Sequence, residues 1–361
     1  MDFPPRSTKQ ASEPEVAPAS LRRAPIVGVD SLRFIAALWV AFGHGAQFPF
    51  DQLVDRHAHH WLGLAAVGAS SIYNGIDAVI VFFLISGLCI HYPNVGADRV
   101  DPVKFILRRL LRVGTPLVAA IAIARLLGAS FVNSLDAVLW TIYCEIAYYC
   151  LYPILFWISK RLSWTKILLL TLLVSLGMAI VCYKHIYLQE FGLLTFVFCY
   201  PFWILGVLLA ENLPRLIDNV ASAQQLWLWR LGAVAHGFVA IVLATHSPIL
   251  VGYIWTVPPF AIYCYFWIPR ELSALNVRHS TYLEQLGLFS YSIYLTHKLT
   301  LAAVVAPLAG LEPLLAWAIK LALIIGLAYG FYLAVEQPSH RLAKKIGARR
   351  LAPKPAPAIE A

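Results

Sequence analysis

Ten apolar stretches, each long enough to cross a lipid bilayer, follow one another along most of this 361-residue chain. A helix of about 16–23 apolar residues matches a hydrocarbon core ~30 Å thick. Hydrophobic residues make up 60% of the chain and charged residues only 13%, whereas soluble domains carry about 25% charged residues. The sequence therefore predicts an all-α polytopic membrane protein, a bundle of about ten transmembrane helices near residues 29–48, 76–92, 113–131, 137–158, 165–183, 192–210, 231–246, 249–268, 286–306 and 313–335.

The distribution of basic residues predicts the orientation of this bundle. Most of the 28 Lys and Arg residues fall in alternate loops and near the two termini. The positive-inside rule makes these regions cytoplasmic, and an even number of spans then places both termini in the cytoplasm. The net charge of +9 follows the loops, so it does not indicate a nucleic-acid partner. Residues 1–26 and 346–361 are predicted to be disordered cytoplasmic tails around a membrane domain at 27–345.

Two ionisable residues interrupt the first apolar stretch, VDSLRFIAALWVAFGHGAQF. Arg33 and His44 are 11 positions apart, so at about 100° per residue they point from the same face of a regular helix. They are about 16 Å apart along its axis. Charged groups inside a membrane are costly and indicate a functional site. The pair suggests a site that holds an anion near Arg33 and carries out proton chemistry at His44, although snorkelling of Arg33 to the headgroups is the structural alternative.

The string LRRLLRVGTP places Arg108, Arg109 and Arg112 at the predicted cytoplasmic end of the third span. Arg109 and Arg112 are three residues apart and share a face if this segment is helical. Guanidinium groups bind phosphates through paired hydrogen bonds. A plain positive-inside anchor is an equally simple interpretation of the same residues.

Further polar residues inside the spans form candidate supporting positions. Glu145 lies in mid-span in the string WTIYCEIAYY beside Tyr143, and a carboxylate there requires a partner. Ser86 lies in FFLISGL, where close helix packing is the structural interpretation. His297 in SYSIYLTHKL is either a second group on the acceptor side or a structural hydrogen-bonding residue. Asp30 precedes the first span and is expected to cap that helix.

Other polar features are given structural interpretations. The histidine-rich loop RHAHH at residues 56–60 has too few clustered ligands nearby, and no metal site is predicted. The six cysteines lie in or beside apolar segments and are expected to be small core residues. Glu336, at the end of the last span, is expected to pair with a loop arginine.

These strings, in this order, resemble the membrane-bound acyltransferase-3 family, integral membrane O-acyltransferases of bacterial surface glycans. Arg, ten residues and then His in the first span is that family's leading signature, and Arg33 and His44 match it. The later matches are FFLISG, RRLLR, WTIYCEIAYY, SYSIYLTH and VEQP. The resemblance covers residues 27–345.

The resemblance implies an enzyme of the bacterial inner membrane that moves an acyl group, most simply acetyl, from cytoplasmic acyl-coenzyme A to a carbohydrate hydroxyl. Acyl-coenzyme A is then a co-substrate, and no bound cofactor is expected. Arg33 and His44 become the essential pair, and Arg109 and Arg112 belong to the donor side. The sequence departs from the family at Ile80, where many members carry Asp, and at the single acid Glu145, where many carry two.

The residues and the resemblance together lead to a mechanistic hypothesis. The arginines would hold the phosphates of coenzyme A, and the thioester arm would extend toward His44. This histidine would act as a general base or carry the acyl group as an acyl-imidazole. The alternative is a transporter of a glycan or small anion that uses Arg33, Glu145 and His44 as a proton or substrate path.

Overall fold

In a computed structural model of the chain, the structure describes residues 25–53, 68–69, 72–217, 221–245, 251–277 and 280–348. All regular elements in these ranges are helical. The histidine-rich loop at 56–60 lies outside the described residues, as do most of the two predicted tails. The last helix nevertheless runs to Ala348, past the predicted start of the C-terminal tail.

Thirteen helices organise the described chain, together with short 3-10 and π-helical turns between them. Their bounds are α1 Val29–Ala41, α2 Gly75–His91, α3 Pro102–Arg109, α4 Thr115–Leu127, α5 Ala129–Ile158, α6 Trp164–Val181, α7 Thr195–Ile217, α8 Ala223–Thr245, α9 Tyr253–Val277, α10 Thr281–Gly287, α11 Ser290–Val304, α12 Pro313–Phe331 and α13 Gln337–Ala348. A short helix, Phe50–Leu53, follows α1.

Seven helical segments in the described chain are long and apolar enough to cross a membrane: Gly75–Asn94, Pro102–Leu127, Ala129–Ile158, Trp164–Val181, Leu188–Ile217, Ala223–Thr245 and Pro313–Ile346. The prediction of ten spans is not confirmed. The other three predicted segments do form helices, namely α1, α9 and α11. Helices α1 and α11 have only 13 and 15 residues, and α1 contains Asp30 and Arg33. Helix α9 has 25 residues, includes three prolines, and is not among the seven segments.

The centre of the bundle is the contact between α2 and α7, which are mostly buried along their length. Their backbones meet at two glycines. A methyl group on Gly87 would collide with the Trp203 carbonyl, and one on Gly206 would collide with the Leu84 carbonyl. Small residues of this kind allow helix backbones to approach closely within a membrane.

The periphery of the bundle consists of α6, α8 and α12, whose outer faces are rich in exposed leucine and other large apolar side chains. Leu173 on α6 and Leu231 on α8 are two examples. Exposure of such apolar faces to water would be unfavourable, but lipid chains are as apolar as the leucine side chains and solvate them without cost. The all-helical fold with apolar outer faces supports the predicted membrane location.

Helix termini follow the local sequence. Asn74 caps α2 by accepting a hydrogen bond from the Ile76 amide at 3.0 Å, and Asp101 with Pro102 begins α3. The predicted capping role of Asp30 is wrong. Helix α1 begins after Gly28, which has a φ of 91°, and Asp30 lies within the first turn.

Three π-helical turns interrupt the otherwise regular helices, at Phe42–Ala46, Leu110–Gly114 and Tyr332–Glu336. They contain His44, Arg112 and Glu336, respectively. Such turns are uncommon and are frequently found at functional sites. Because the helix widens at Phe42, the calculation of a common face for Arg33 and His44 applies only as far as the end of α1.

Candidate active site

A cavity of about 390 Å³ lies where α1, α5, α11 and α13 converge with the turn after α3. This volume is within the range of small-molecule sites, roughly 300–1,000 Å³. Cationic side chains outnumber carboxyls in its lining, so the cavity suits an anionic ligand. The charged lining residues are Arg33, Arg109, Arg112, Arg341, Lys344, Asp30, Glu145 and Glu336.

The predicted arginines meet in this cavity, with one exception. Arg33 pairs with Asp30 at 3.1 Å, one turn away on α1. Arg109 ends α3 with its guanidinium 5.9 Å from the Tyr149 ring centroid, and Arg112 follows in the π turn. Arg108 points from the exposed side of α3 and does not line the cavity.

Glu145 is held in place by hydroxyl groups. Its Oε1 atom accepts hydrogen bonds from Ser86 Oγ at 2.6 Å and from Tyr149 Oη. The Trp203 indole donates to Ser86 Oγ at 3.2 Å, so the network ties α2, α5 and α7 together. The predicted supporting residue Tyr143 lies on the exposed face of α5, outside the cavity lining.

The two histidines predicted near the other end of the bundle are in direct contact. The Nδ1 atom of His44 lies 3.0 Å from Nε2 of His297, and their rings are stacked with centroids 5.2 Å apart. His297 is fully buried on α11, whereas His44 is half-buried in the π turn after α1. The sequence contained both residues but not their pairing.

The contacts of His297 decide which nitrogen of His44 carries a proton. His297 Nδ1 lies 2.7 Å from the carbonyl oxygen of Tyr294, so this nitrogen must be a donor. A fully buried ring is most stable when neutral, and its Nε2 is then an acceptor. His44 must therefore donate from Nδ1, which leaves a lone pair on His44 Nε2. A base or nucleophile requires this tautomer.

Tyr294 lies between the cavity and the histidine pair. It lines the cavity together with Phe82, and its ring centroid lies 5.9 Å from that of His297. Its hydroxyl donates to the Val138 carbonyl at 3.0 Å, which fixes the ring. The ring of Tyr294 thus separates the cationic cavity from the histidines.

A second, smaller cleft lies on the far side of His44, between the π turn and the start of α12. Its volume is about 270 Å³, and Gln47, Gln52, Trp317 and Lys320 contribute polar groups to it. Trp317 Nε1 donates to the Ala46 carbonyl at 3.1 Å. Gln47 Oε1 is buried without a hydrogen-bond donor among the described residues. The two cavities lie at opposite ends of α1.

Sequence reasoning missed the contribution of α13. Arg341, Lys344 and His340 line the cavity, although they had been interpreted only as part of a basic C-terminal end. Glu336 does not pair with a loop arginine as expected. Its carboxylate accepts from the Ser292 amide at 3.1 Å and lies 3.5 Å from His340. The signal available in the sequence is the alternation of basic and apolar residues after VEQP, which is typical of an amphipathic helix.

Asp77 also has a partner that the sequence did not reveal. Its Oδ2 atom lies 2.8 Å from His236 Nδ1, and His236 Nε2 contacts the Thr256 carbonyl at 3.0 Å. Asp77 is completely buried, so this interaction links α2, α8 and α9 within the bundle. It lies outside the lining of both cavities.

The comparison with protein families agrees with the residues that meet in the site. The family model described as an acyltransferase domain, acyltransferase 3, matches residues 26–333. No curated protein and no solved structure matches the chain significantly. Because the matched region covers most of the chain and includes both histidines and the arginines of α1 and α3, the chain belongs to the acyltransferase-3 family and is a membrane acyltransferase.

Proposed function

We propose that this acyltransferase moves an acyl group, most simply acetyl, from cytoplasmic acyl-coenzyme A to a hydroxyl of a carbohydrate acceptor at the bacterial inner membrane. The observation that carries the proposal is the hydrogen-bonded pair of His44 and His297, which the ring of Tyr294 separates from a cationic cavity. This arrangement places a base with an available lone pair beside a site for a phosphorylated donor. The transporter alternative has no comparable support, since family membership indicates an acyltransferase.

The donor proposal rests on the charge and depth of the cavity. Arg33, Arg109 and Arg112 would bind phosphate groups, for which guanidinium is well suited. Arg33 lies in the first half of α1 and His44 in the π turn after it, at most about 16 Å apart along the axis, which suits the long, thin arm that joins the diphosphate of coenzyme A to its thioester. The thioester would then approach the histidines past Tyr294.

The chemical step uses the lone pair of His44. In the general-base route, Nε2 takes the proton of the acceptor hydroxyl while its oxygen attacks the thioester carbonyl carbon. The carbon–sulfur bond breaks, and the departing thiolate receives the proton from His44, which yields free coenzyme A and the ester. His297 would hold His44 in the required tautomer throughout, because His297 Nε2 accepts a hydrogen bond from Nδ1–H of His44.

The acceptor proposal rests on the cleft beyond His44. Gln47 Oε1 is a buried acceptor that a substrate hydroxyl could satisfy, and Gln52 adds an amide nearby. Trp317 offers an aromatic surface of the type that supports apolar faces of sugars. A carbohydrate presents both hydroxyl groups and apolar ring faces, so these side chains suit a carbohydrate acceptor. The cleft is on the side of His44 opposite the proposed donor cavity.

The decisive experiment uses the purified protein in lipid nanodiscs with labelled acetyl-coenzyme A and an extract of surface glycans. The wild type should transfer label to a glycan, and mass spectrometry would identify the acylated sugar. His44→Ala should reduce transfer at least about 100-fold, since general-base catalysis contributes roughly 10²–10⁴. His185→Ala, a histidine outside both cavities, is the matched control. Full activity of the His44 variant would overturn the proposal.

A second experiment separates the two catalytic routes. Incubation with labelled acetyl-coenzyme A in the absence of acceptor should leave the protein unlabelled if His44 acts only as a base. Stoichiometric label on His44, identified after rapid quenching and peptide mapping, would assign the acyl-imidazole route. Uptake of a glycan into proteoliposomes without any acyl donor would instead support the transporter.

A further inference from the structure

We propose that α13 completes the donor site, and that Arg341 and Lys344 bind the 3′-phosphate on the ribose of coenzyme A. The inference rests on the proposed function for the identity of the donor. It goes beyond the family match, which ends at residue 333, whereas α13 is Gln337–Ala348. Residues outside the matched domain therefore line part of the cavity.

The first support is the face that α13 presents to the cavity. Arg341 and Lys344 are three residues apart, which places them on one side of a helix, and both line the cavity. Lys345 is exposed and does not line it. Ala343 is buried and packs the opposite side of α13 against the bundle. Two cations therefore converge on the same space, while a third on the same helix points away.

The second support is the rigid attachment of α13. Glu336, in the turn before it, accepts hydrogen bonds from both the amide and the hydroxyl of Ser292 on α11, at 3.1 and 2.5 Å. Ser339 Oγ donates to the Glu336 carbonyl at 2.8 Å. The helix also packs along α3 and the π turn that contains Arg112. A preorganised cationic helix loses little entropy when it binds a phosphate.

The third support is the depth of the two cationic groups. Lys320 on α12 contacts the Gly45 carbonyl at 3.3 Å and so marks the level of His44. Arg341 comes 21 residues later, on α13 beyond the π turn Tyr332–Glu336, and so lies about 30 Å further along the axis. Arg33 is only about 16 Å from that level. In coenzyme A the diphosphate is the nearer group to the thioester and the ribose 3′-phosphate is the farther one, which matches this order.

The test compares coenzyme A with 3′-dephospho-coenzyme A, which lacks only the phosphate in question. Their dissociation constants for the full-length protein in nanodiscs would be measured by calorimetry. The wild type should bind coenzyme A at least about tenfold more tightly, as expected for charge-assisted hydrogen bonds to one phosphate. Arg341→Gln with Lys344→Gln should bring the ratio close to one and leave the affinity for dephospho-coenzyme A nearly unchanged.

Two controls separate this assignment from diffuse charge and from misfolding. Lys345→Gln removes the same charge from the same helix and should keep the ratio of the wild type. The charge-conserving pair Arg341→Lys and Lys344→Arg should keep most of it. If acyl transfer proceeds but the wild type binds both ligands equally, the inference is overturned. The same holds if the Gln variant keeps the wild-type ratio of the two dissociation constants. Absence of both coenzyme A binding and acyl transfer would instead reject the proposed donor.

Discussion

His44 and His297 form a directed hydrogen bond, 3.0 Å from Nδ1 of the first to Nε2 of the second. The direction is set by the Tyr294 carbonyl, which accepts a hydrogen bond from Nδ1–H of the neutral His297 ring and leaves Nε2 as an acceptor. Two residues that are 253 positions apart therefore define one chemically active lone pair. In the proposed mechanism, His297 would act on the reaction through His44, as a positioning residue.

Replacement of His297 by alanine should lower the rate constant for acyl transfer about 10- to 100-fold, the size of effect seen when a hydrogen bond that orients a metal-binding imidazole is removed. The KM for acyl-coenzyme A should stay within about twofold, because His297 does not line the donor cavity. His297→Gln, which can still accept from His44 Nδ1, should recover part of the activity. A large increase in KM with an unchanged rate constant would contradict the positioning role.

Gly45→Ala should impair catalysis through the backbone alone. Gly45 has a φ of 111°, and an added methyl group would meet no atom within 4 Å. The left-handed conformation costs other residues about 1–2 kcal/mol, so the chain would shift beside His44. We expect acyl transfer to fall at least about tenfold with little change in the melting temperature. Gly326→Ala, also without close neighbours but without a positive φ, should be silent in both measurements.

Ser86→Ala should destabilise the protein by about 1–3 kcal/mol, because it removes a donor to Glu145 and the acceptor of the Trp203 indole. The free energy of unfolding in detergent, followed by tryptophan fluorescence, measures this effect. Ser86→Thr keeps the hydroxyl and is the matched comparison. If both variants lose the same stability, steric packing beside Gly87 explains the loss and the hydrogen bonds do not.

The pair of Asp77 and His236 should show strong coupling. His236→Ala leaves a completely buried carboxyl without its partner and should cost about 3 kcal/mol or more of stability. Asp77→Asn combined with His236→Ala should be more stable than the single His236 variant, since the uncompensated charge is removed. A double-mutant cycle on the free energy of unfolding measures the coupling. Additive effects would show that the contact contributes nothing.

The two glycines where α2 and α7 cross should not tolerate replacement by a residue with a side chain. Gly87→Ala and Gly206→Ala each introduce a methyl group against a backbone carbonyl of the other helix, and we expect about 1–3 kcal/mol of destabilisation for either. Gly177→Ala on α6, where an added methyl meets nothing, should be neutral or slightly stabilising. Thermal unfolding in the same detergent would rank the three variants.

Much of the candidate site could be anticipated from the sequence because charged groups are conspicuous in apolar segments. Arg33 and Glu145 were selected on this basis, Arg109 and Arg112 were selected as a basic run at the end of a span, and all four line the cavity. Arg108 and Tyr143 were selected by proximity in sequence, and both lie outside the lining. Residues one position away on a helix differ by about 100° in direction, so adjacency predicts a common site poorly.

The departures from the sequence predictions have identifiable physical causes. Seven of the ten predicted spans are long and apolar enough to cross a membrane, whereas α1 and α11 are short helices of 13 and 15 residues. Asp30 was assigned to a cap because acidic residues are common there, yet Arg33 one turn away is its partner. The three π turns depend on the packing around them, and regular helical periodicity does not predict them.

The sequence by itself determined the membrane class, the helical fold and the residue types available for chemistry, because hydropathy and charge are properties of each segment alone. The tertiary structure alone decided which of those residues meet. It paired His44 with His297, brought α13 to the arginines of α1 and α3, and separated the cationic cavity from the cleft beyond His44. These outcomes depend on the packing of helices that are distant in sequence, where a shift of one residue turns a side chain by about 100° and removes it from the site.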